Sequence, residues 1–210
     1  HSRTLIAPMT RAALFQMTSG INPEANASAI VDAIVQAKAG GATMLFTPEM
    51  SGLIDRDRKR ATANVTFEDQ DRVLVQVREA AAREGMWVSL GSLAIAREDG
   101  RWANRAFVIR GDGSIAARYD KLHMFDVDLA TGESWRESNA YAPGDKVVTV
   151  ETPLGRLGLA ICYDIRFPQL FEALGQARCD VIAIPAAFTV PTGKAHWHLL
   201  QRARAVESSA

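Results

Sequence analysis

The sequence predicts an α/β layered domain, and two observations support that fold class. In residues 12–84, short apolar runs typical of buried strands alternate with segments whose apolar residues recur at helical spacing. In residues 87–119, three strand-like runs follow one another with only short glycine-containing turns between them. This meander of adjacent strands departs from the repeated strand–helix–strand pattern of a doubly wound fold.

The first half of the chain supplies the alternating elements. Residues 12–17 are a candidate strand, and Asn22-Pro23 is a typical helix start, because proline suits the first helical turn. Gly40-Gly41 ends that helix. The remaining predictions are a strand over residues 43–47, a helix over 68–84, and strands over 87–96, 102–109 and 114–119. The charged residues 55–60 are interpreted as a solvated surface.

The second half begins with a stretch that has no period. Residues 125–144 are predicted to form a long loop, which we expect to be ordered because it carries three aromatic residues. Strands are predicted over residues 147–152, 157–161 and 180–185, and helices over 169–177 and 194–207, with a loop over 186–193.

Composition limits the classes of function. The 210 residues are 48% hydrophobic and carry a formal net charge of zero, so no nucleic-acid or membrane surface is indicated as a partner. Two cysteines, Cys162 and Cys179, do not make a disulfide framework, and we expect a cytoplasmic, reducing setting. A single domain is predicted over residues 9–210. Residues 1–8 are interpreted as a remnant that precedes a natural start at Met9.

The most informative stretch surrounds Cys162. An apolar run over residues 157–161 ends at this cysteine, and polar Asp164 and Arg166 follow before Pro168, where a helix could begin. A cysteine at a strand end, just ahead of a helix, is expected to be exposed at the sheet edge, with a lowered thiol pKa and backbone N–H donors nearby. The alternative is a small residue of the core.

Glu49, Lys121 and Cys162 share one feature, since each comes directly after a predicted strand. Strand ends at one edge of a layered sheet bring reacting groups together. A carboxylate can serve as base for a thiol, and a lysine can stabilise the oxyanion of a tetrahedral intermediate. The three residues therefore suffice for acyl transfer. A solvated strand terminus for Glu49 and a surface turn for Lys121 are the alternatives.

Four segments resemble the nitrilase superfamily of carbon–nitrogen hydrolases, and within it the Nit-type amidases that include omega-amidase and the deaminated-glutathione amidases. They are Phe46-Thr-Pro-Glu49, Tyr119-Asp-Lys121-Leu-His-Met-Phe125-Asp, Gly158-Leu-Ala-Ile-Cys162-Tyr-Asp-Ile-Arg-Phe-Pro168, and Pro185-Ala-Ala-Phe188 with Gly193-Lys-Ala-His-Trp197 and Arg202-Ala-Arg204-Ala. The resemblance covers about residue 12 to the last residue.

The resemblance implies a fold and a set of roles. The fold is an α-β-β-α sandwich with mixed sheets, four-layered on dimerisation, in a homodimer or higher homo-oligomer. Glu49 would be the general base, Lys121 the charge at the oxyanion and Cys162 the nucleophile. Glu137 would be a second glutamate that positions Lys121 or the substrate. The oxyanion and substrate-binding groups would be the N–H of Tyr163 and the side chains of Phe125, Arg166 and Phe188.

Arg166 has two interpretations. Its guanidinium could bind a substrate carboxylate bidentately, or it could hold the turn at Cys162 by a salt bridge. No metal or other cofactor is expected. His196 and His198 would lie two apart on a helix and would not face one another, so they make a poor metal pair.

The resemblance also carries departures and alternatives. The sequence Cys-Tyr-Asp-x-Arg-Phe-Pro favours amide hydrolysis over nitrile hydrolysis, and the expected substrates are small ω-amides of carboxylic acids. His198 stands where several Nit-type members have glutamate, Gln169 replaces a glutamate, and the chain stops at Ala210, before the C-terminal segment of the family. The alternatives are a nitrilase, an N-carbamoyl amino acid amidohydrolase or a non-catalytic dimeric scaffold.

Overall fold

The computed structural model describes residues 10–128, 132 and 134–210. The interpretation of residues 1–8 and of a start at Met9 lies outside these residues. The strands are β1 (Ala12–Leu14), β2 (Met44–Phe46), β3 (Trp87–Ala96), β4 (Trp102–Ile109), β5 (Ile115–Asp120), β6 (Asp126–Asp128), β7 (Ser134–Arg136), β8 (Thr149–Thr152), β9 (Gly155–Leu159) and β10 (Val181–Ala183). The helices are α1 (Pro23–Ala39), α2 (Arg58–Thr62), α3 (Arg72–Glu84), α4 (Pro168–Gln176) and α5 (Val190–Ser208).

The larger sheet has the order β1-β2-β3-β4-β5. Its first three strands are parallel, and β4 and β5 add in antiparallel register, as the predicted meander requires. Helices α1 and α3 cover one face of this sheet with a continuous apolar cluster that includes Ile30, Ile34, Leu74 and Val77. Burying these aliphatic side chains contributes roughly 1.5–3 kcal/mol each.

The helix starts have identifiable caps. The side chain of Asn22 accepts hydrogen bonds from the N–H groups of Glu24 and Ala25 at the start of α1. Asp71 accepts from the Leu74 N–H at the start of α3, and Gly85 ends that helix with a φ of 61°. Each cap satisfies backbone groups that a helix end leaves without partners.

The smaller sheet has the order β10-β9-β8, with a parallel pair β9–β10 and an antiparallel pair β8–β9. Helices α4 and α5 cover its outer face through a cluster that includes Leu170, Phe171 and Leu174. Between the two sheets lies another apolar cluster, to which Val108 contributes from the larger sheet and Leu157 and Leu159 from the smaller.

The layers therefore follow as α1/α3, larger sheet, smaller sheet and α4/α5. This is the predicted α-β-β-α sandwich with mixed sheets, and that fold class is confirmed. All four layers belong to one chain. The stacking of two chains stays a prediction.

Several predicted boundaries were wrong. The first strand ends at Leu14, and the second predicted helix begins only at Arg72, after a separate 3-10 turn over Glu68–Gln70. Helix α5 begins at Val190, four residues before the predicted start, because Pro191 occupies its first turn. The charged segment at residues 55–60 contains the start of the short helix α2, which Asp57 caps.

The predicted loop over residues 125–144 contains a two-stranded antiparallel hairpin, β6–β7. The 3-10 turn Glu137–Asn139 follows it directly. The hairpin and the residues that flank it place Phe125, Trp135 and Glu137 on one wall of a cavity that also reaches the ends of β2, β5 and β9.

Candidate active site

Glu49, Lys121 and Cys162 line one cavity of about 410 Å³. Glu49 follows β2, Lys121 follows β5 directly, and Cys162 follows β9 as the first residue of a 3-10 helix, Cys162–Arg166. The two sheets thus deliver the three predicted residues to the same place. All three side chains are buried, at 5%, 2% and 8% exposure respectively.

Lys121 lies between two carboxylates. Its Nζ is 3.0 Å from Oε1 of Glu49 and 2.9 Å from Oε2 of Glu137. Burial by itself would lower the pKa of Lys121, but the negative charges of Glu49 and Glu137 raise it well above its ordinary value. The ammonium is therefore fully charged at neutral pH.

Glu49 is held by donors from four directions. Its Oε1 accepts from Lys121 and from Nδ2 of Asn104 at 2.9 Å, and its Oε2 accepts from the Ala187 N–H at 2.9 Å. The thiol of Cys162 is its fourth partner. Burial alone would raise the pKa of Glu49, but the charge of Lys121 and these hydrogen bonds hold it below its ordinary value.

Cys162 has a backbone conformation that is unusual for a residue with a side chain. Its φ is 48°, in the left-handed region, and its N–H donates to the Pro185 carbonyl at 2.9 Å. A non-glycine residue in this region carries local strain of roughly 1–3 kcal/mol, which the surrounding structure must hold in place. The turn aims the thiol into the cavity beside Glu49.

The prediction of an exposed cysteine with a lowered pKa was wrong. The thiol is buried, and burial together with the negative charge of Glu49 raises its pKa well above the ordinary value, although Lys121 opposes this. The resting site therefore holds a protonated thiol next to an ionised base. Proton transfer to Glu49 has to accompany any attack by the sulfur.

Glu137 has partners on two sides. Besides Lys121, its Oε2 accepts from the Phe125 N–H at 2.7 Å, and its Oε1 lies 3.2 Å from Nδ2 of Asn104. Glu137 therefore lies beside Lys121, the position predicted for a second glutamate. No bound substrate is needed to hold it there.

Aromatic rings form a wall of the cavity. Phe125 packs edge-on against Tyr163 with ring centroids 5.1 Å apart, and it also contacts Trp135 at 6.3 Å. Phe188 lines the cavity as well and packs on Trp197 of α5. Tyr163 is the second residue of its 3-10 helix, and N–H groups in a first turn have no intrahelical acceptor.

Arg166 also lines the cavity. Its guanidinium lies 5.9 Å from the ring centroids of Tyr163 and Phe188, and its Nη2 is 3.3 Å from Nδ1 of His196. Among the described residues, no carboxylate lies within 4 Å of it, so the salt bridge considered for the turn at Cys162 is not formed with any of them.

Sequence reasoning missed Asn104, Asp164 and the Ala187 N–H. Asn104 lies on β4 between buried Ala103 and half-buried Arg105, and an uncharged polar residue inside this mainly apolar strand was the available signal. Asp164 was treated only as part of a motif. The contact between Ala187 and Glu49 spans 138 residues, and no local pattern encodes it.

Two features are absent from the described residues, a metal-binding cluster and a membrane-spanning helix. Within them, no group of three or more histidine, cysteine, aspartate or glutamate side chains is arranged to hold a metal ion. No helix formed by the same residues is both long enough and apolar enough to cross a membrane.

The sequence pattern of the family described as Carbon-nitrogen hydrolase matches residues 11–210. A deaminated glutathione amidase from Yersinia enterocolitica is 39% identical over 199 residues, which are 93% of this chain and 69% of that protein. The chain spans 69%, 61% and 73% of the lengths of three curated relatives that it matches.

Solved structures are similar over nearly the whole chain. The C. elegans NitFhit protein has a TM-score of 0.85 at 35% identity, over 94% of this chain and 48% of that one. A mutant of the amidase from Nesterenkonia sp. AN1 has a TM-score of 0.81 at 25% identity, over 96% of this chain and 76% of that one. In that mutant, acrylamide has added to the active-site cysteine.

Proposed function

Because this chain belongs to the carbon–nitrogen hydrolase family, whose members act on non-peptide C–N bonds, we propose that it hydrolyses the amide of a small ω-amide carboxylic acid to the acid and ammonia. The observation that carries the proposal is the contact of Lys121 Nζ with Glu49 at 3.0 Å, in the cavity that also holds the thiol of Cys162. Base, charge and nucleophile are then within reach of one carbonyl group.

Acylation is the first stage. Glu49 takes the thiol proton as the sulfur of Cys162 attacks the amide carbon, so that no free thiolate is formed in the buried site. The ammonium of Lys121 and the N–H of Tyr163 stabilise the oxyanion. Glu49 then gives its proton to the departing nitrogen, the C–N bond breaks, and ammonia leaves a thioester on Cys162.

Deacylation is the second stage, in which water is the nucleophile and Cys162 is the leaving group. Glu49, again ionised, takes a proton from a water molecule that attacks the thioester carbonyl, and Lys121 with the Tyr163 N–H stabilises the second oxyanion. The C–S bond breaks, the proton returns to the sulfur, and the carboxylic acid leaves. Glu137 keeps Lys121 in position throughout, since it accepts a hydrogen bond from Nζ at 2.9 Å.

The arginines that line the cavity support an acidic substrate. Arg56 and Arg166 line the cavity, and among the described residues neither has a carboxylate within 4 Å. Arg136 also lines it but is paired with Asp128 at 2.9 Å. We assign Arg166 to the substrate carboxylate, because a guanidinium can bind it bidentately beside the two aromatic rings that flank it.

The first experiment measures ammonia release from a panel of ω-amide acids and from neutral amides of the same length. The wild-type protein should release ammonia, and Cys162→Ala should not. Incubation with fluoroacetamide should add an acetamide group to the Cys162 peptide, detected by mass spectrometry. Release that persists in Cys162→Ala would contradict the proposal. Activity only on a nitrile or a carbamoyl amino acid would favour the nitrilase or the carbamoyl amidohydrolase. No activity on any substrate would favour the non-catalytic scaffold.

The substrate class has its own test. Arg166→Gln should raise KM for an ω-amide acid about tenfold or more, because a charged hydrogen-bonded pair is lost. KM for the matched neutral amide should change little. Arg72→Gln, at an exposed position on α3, is the matched control. An equal rise of KM for both substrates would remove Arg166 from carboxylate binding.

Two further inferences concern setting and assembly. Cys162 and Cys179 are both free thiols, which supports a reducing, cytoplasmic compartment. We also infer a homodimer or higher homo-oligomer. Its test is the mass of the particle in solution by light scattering, where a monomeric mass at micromolar concentration would contradict it.

A further inference from the structure

Asp164 is a buried carboxylate that the mechanism above does not use. It is fully buried, and four groups lie around its two oxygens. Oδ2 accepts from the Tyr119 hydroxyl at 2.7 Å and from the Ile161 N–H at 2.9 Å. Oδ1 accepts from the His123 N–H at 3.0 Å and lies 2.7 Å from Nδ1 of the same histidine.

These partners belong to the two segments that carry the reacting groups. Tyr119 and His123 stand two residues before and two residues after Lys121. Ile161 directly precedes Cys162, and Asp164 follows it in the same 3-10 helix. One side chain therefore connects the lysine segment to the cysteine segment, although 41 residues separate Asp164 from His123.

A stacked ring pair joins the same two segments. The imidazole of His123 lies parallel to the ring of Phe167, with centroids 3.6 Å apart and an interplanar angle of 7°. Phe167 ends the 3-10 helix that begins at Cys162. This packing fixes the plane of the imidazole, so that Nδ1 points at Asp164.

The strain at Cys162 explains why such a connection matters. A left-handed backbone at a non-glycine residue persists only where neighbouring contacts hold it. The hydrogen bond from Ile161 to Asp164 fixes the residue before the turn, and the bond from Cys162 to Pro185 fixes the turn itself. Of these two hydrogen bonds, only the one to Asp164 involves a side chain that also contacts the lysine segment. Loss of Asp164 would therefore remove this restraint on the turn.

We propose that Asp164 is a positioning residue, which sets the separation between the nucleophile on Cys162 and the charge on Lys121 by tying the two segments together. This inference rests on the proposed function only for its kinetic test, since the geometry of the thiol can be measured without a substrate. Misplacement of a reacting group by about 1 Å can lower a rate about a hundredfold.

The test uses Asp164→Asn, Tyr119→Phe and the control Asp71→Asn. Asn has the size of Asp but carries an NH₂ group that faces N–H donors. Tyr119→Phe removes one hydrogen bond of the four and retains the ring. Asp71→Asn makes the same change at another buried aspartate, the cap of α3, away from the site. The readouts are kcat, KM, Tm and the rate at which iodoacetamide alkylates the Cys162 peptide.

Asp164→Asn should lower kcat by about 10- to 100-fold with little change in KM, and it should slow alkylation of Cys162. Tyr119→Phe should give a smaller loss in the same direction. Asp71→Asn should leave kcat and alkylation at the wild-type level, because asparagine caps a helix about as well as aspartate and the residue lies away from the site. If Asp164→Asn does not fold, Tyr119→Phe decides the question.

Folded variants with wild-type kcat and alkylation would overturn the proposal. So would an equal loss in Asp71→Asn, because the effect would then follow from neutralising any buried aspartate and would not be specific to Asp164. If the wild-type protein hydrolyses no amide, slower alkylation in Asp164→Asn still supports the positioning role, and it is the proposed function that fails.

Discussion

The side-chain amide of Asn104 donates to Oε1 of Glu49 at 2.9 Å, and both side chains are buried. The same Nδ2 lies 3.2 Å from Oε1 of Glu137. One neutral donor on β4 is thus shared by the two carboxylates that enclose Lys121. It links them without adding charge.

Replacement of Asn104 by aspartate should move the pH dependence of the reaction. The substitution removes a hydrogen bond from Glu49 and adds a negative charge near it, and both changes raise the pKa of Glu49. The acid limb of the kcat/KM profile should therefore shift to higher pH. Asn26→Asp, at a buried asparagine of α1, is the control. An acid limb that stays in place would show that Asn104 does not tune Glu49.

Lys121→Met should lower kcat about a hundredfold or more, because it removes a charge at the oxyanion while keeping most of the side-chain volume. It should also raise the pKa of Glu49, since the Lys121 charge is the largest influence that lowers it. Steady-state kinetics of ammonia release measure the first effect. Lys38→Met, in the last turn of α1, is the control, and near-normal turnover in Lys121→Met would exclude the assigned role.

Alkaline pH should destabilise the fold through Cys162. Burial and Glu49 raise the pKa of this thiol well above 9.0, so the unfolded chain ionises it at a pH where the folded chain keeps its proton. The resulting contribution to the free energy of unfolding is complete below pH 9.0. Above that pH it falls by up to about 1.4 kcal/mol per pH unit.

Urea unfolding between about pH 9 and pH 10 measures this slope. The comparison is between Cys162 and Cys162→Ser, both in a Cys179→Ser background, because burial also raises the pKa of Cys179. Tyr119 and Lys121, whose ordinary pKa values are 10.0 and 10.5, begin to titrate in the unfolded chain in this range, but both are present in the two proteins and their effect cancels in the comparison. Equal slopes in the two proteins would mean that folding does not raise the pKa of Cys162.

Gly91→Ala should displace the segment that carries Glu49. A Cβ at Gly91 would lie 2.2 Å from the carbonyl oxygens of Thr47 and Pro48, directly ahead of Glu49. We expect the free energy of unfolding to fall by about 1–3 kcal/mol or more, and kcat to fall with it. Gly20→Ala, whose nearest atom would be 3.9 Å away, is the control. Unchanged stability in Gly91→Ala would contradict this packing.

The elements with strong local signals could be predicted from the sequence. Strands β3 and β4 have the predicted bounds, because long apolar runs end at turns that contain glycine. The hairpin β6–β7 could not be predicted, since each strand has three residues and Asp126–Asp128 is mostly polar. Such short strands form because of their tertiary surroundings and not because of intrinsic propensity.

In the candidate site, too, some features could be predicted from the sequence and others could not. Glu49, Lys121 and Cys162 could be proposed because each follows a predicted strand and because each lies in a segment that resembles the nitrilase superfamily. The raised pKa of Cys162 could not be, because it depends on burial and on Glu49, which is distant in sequence. Asp164 shows a further limit, since its partners Tyr119 and His123 become neighbours only when the two sheets pack together.

The arrangement of charge along the cavity has a consequence for the way a substrate enters. The buried inner end holds two carboxylates and one ammonium, whereas the guanidinium groups of Arg56, which is exposed, and Arg166, which is half-buried, line the cavity nearer to solvent. An anionic group is therefore repelled by the interior and retained at the rim, whereas a neutral amide can advance to the sulfur. The charges of the cavity therefore orient an amide acid with its amide toward the sulfur of Cys162 and its carboxylate toward the arginines. Once water has cleaved the thioester, the product carries a carboxylate at each end, and the carboxylates of the inner end repel the one that has just formed.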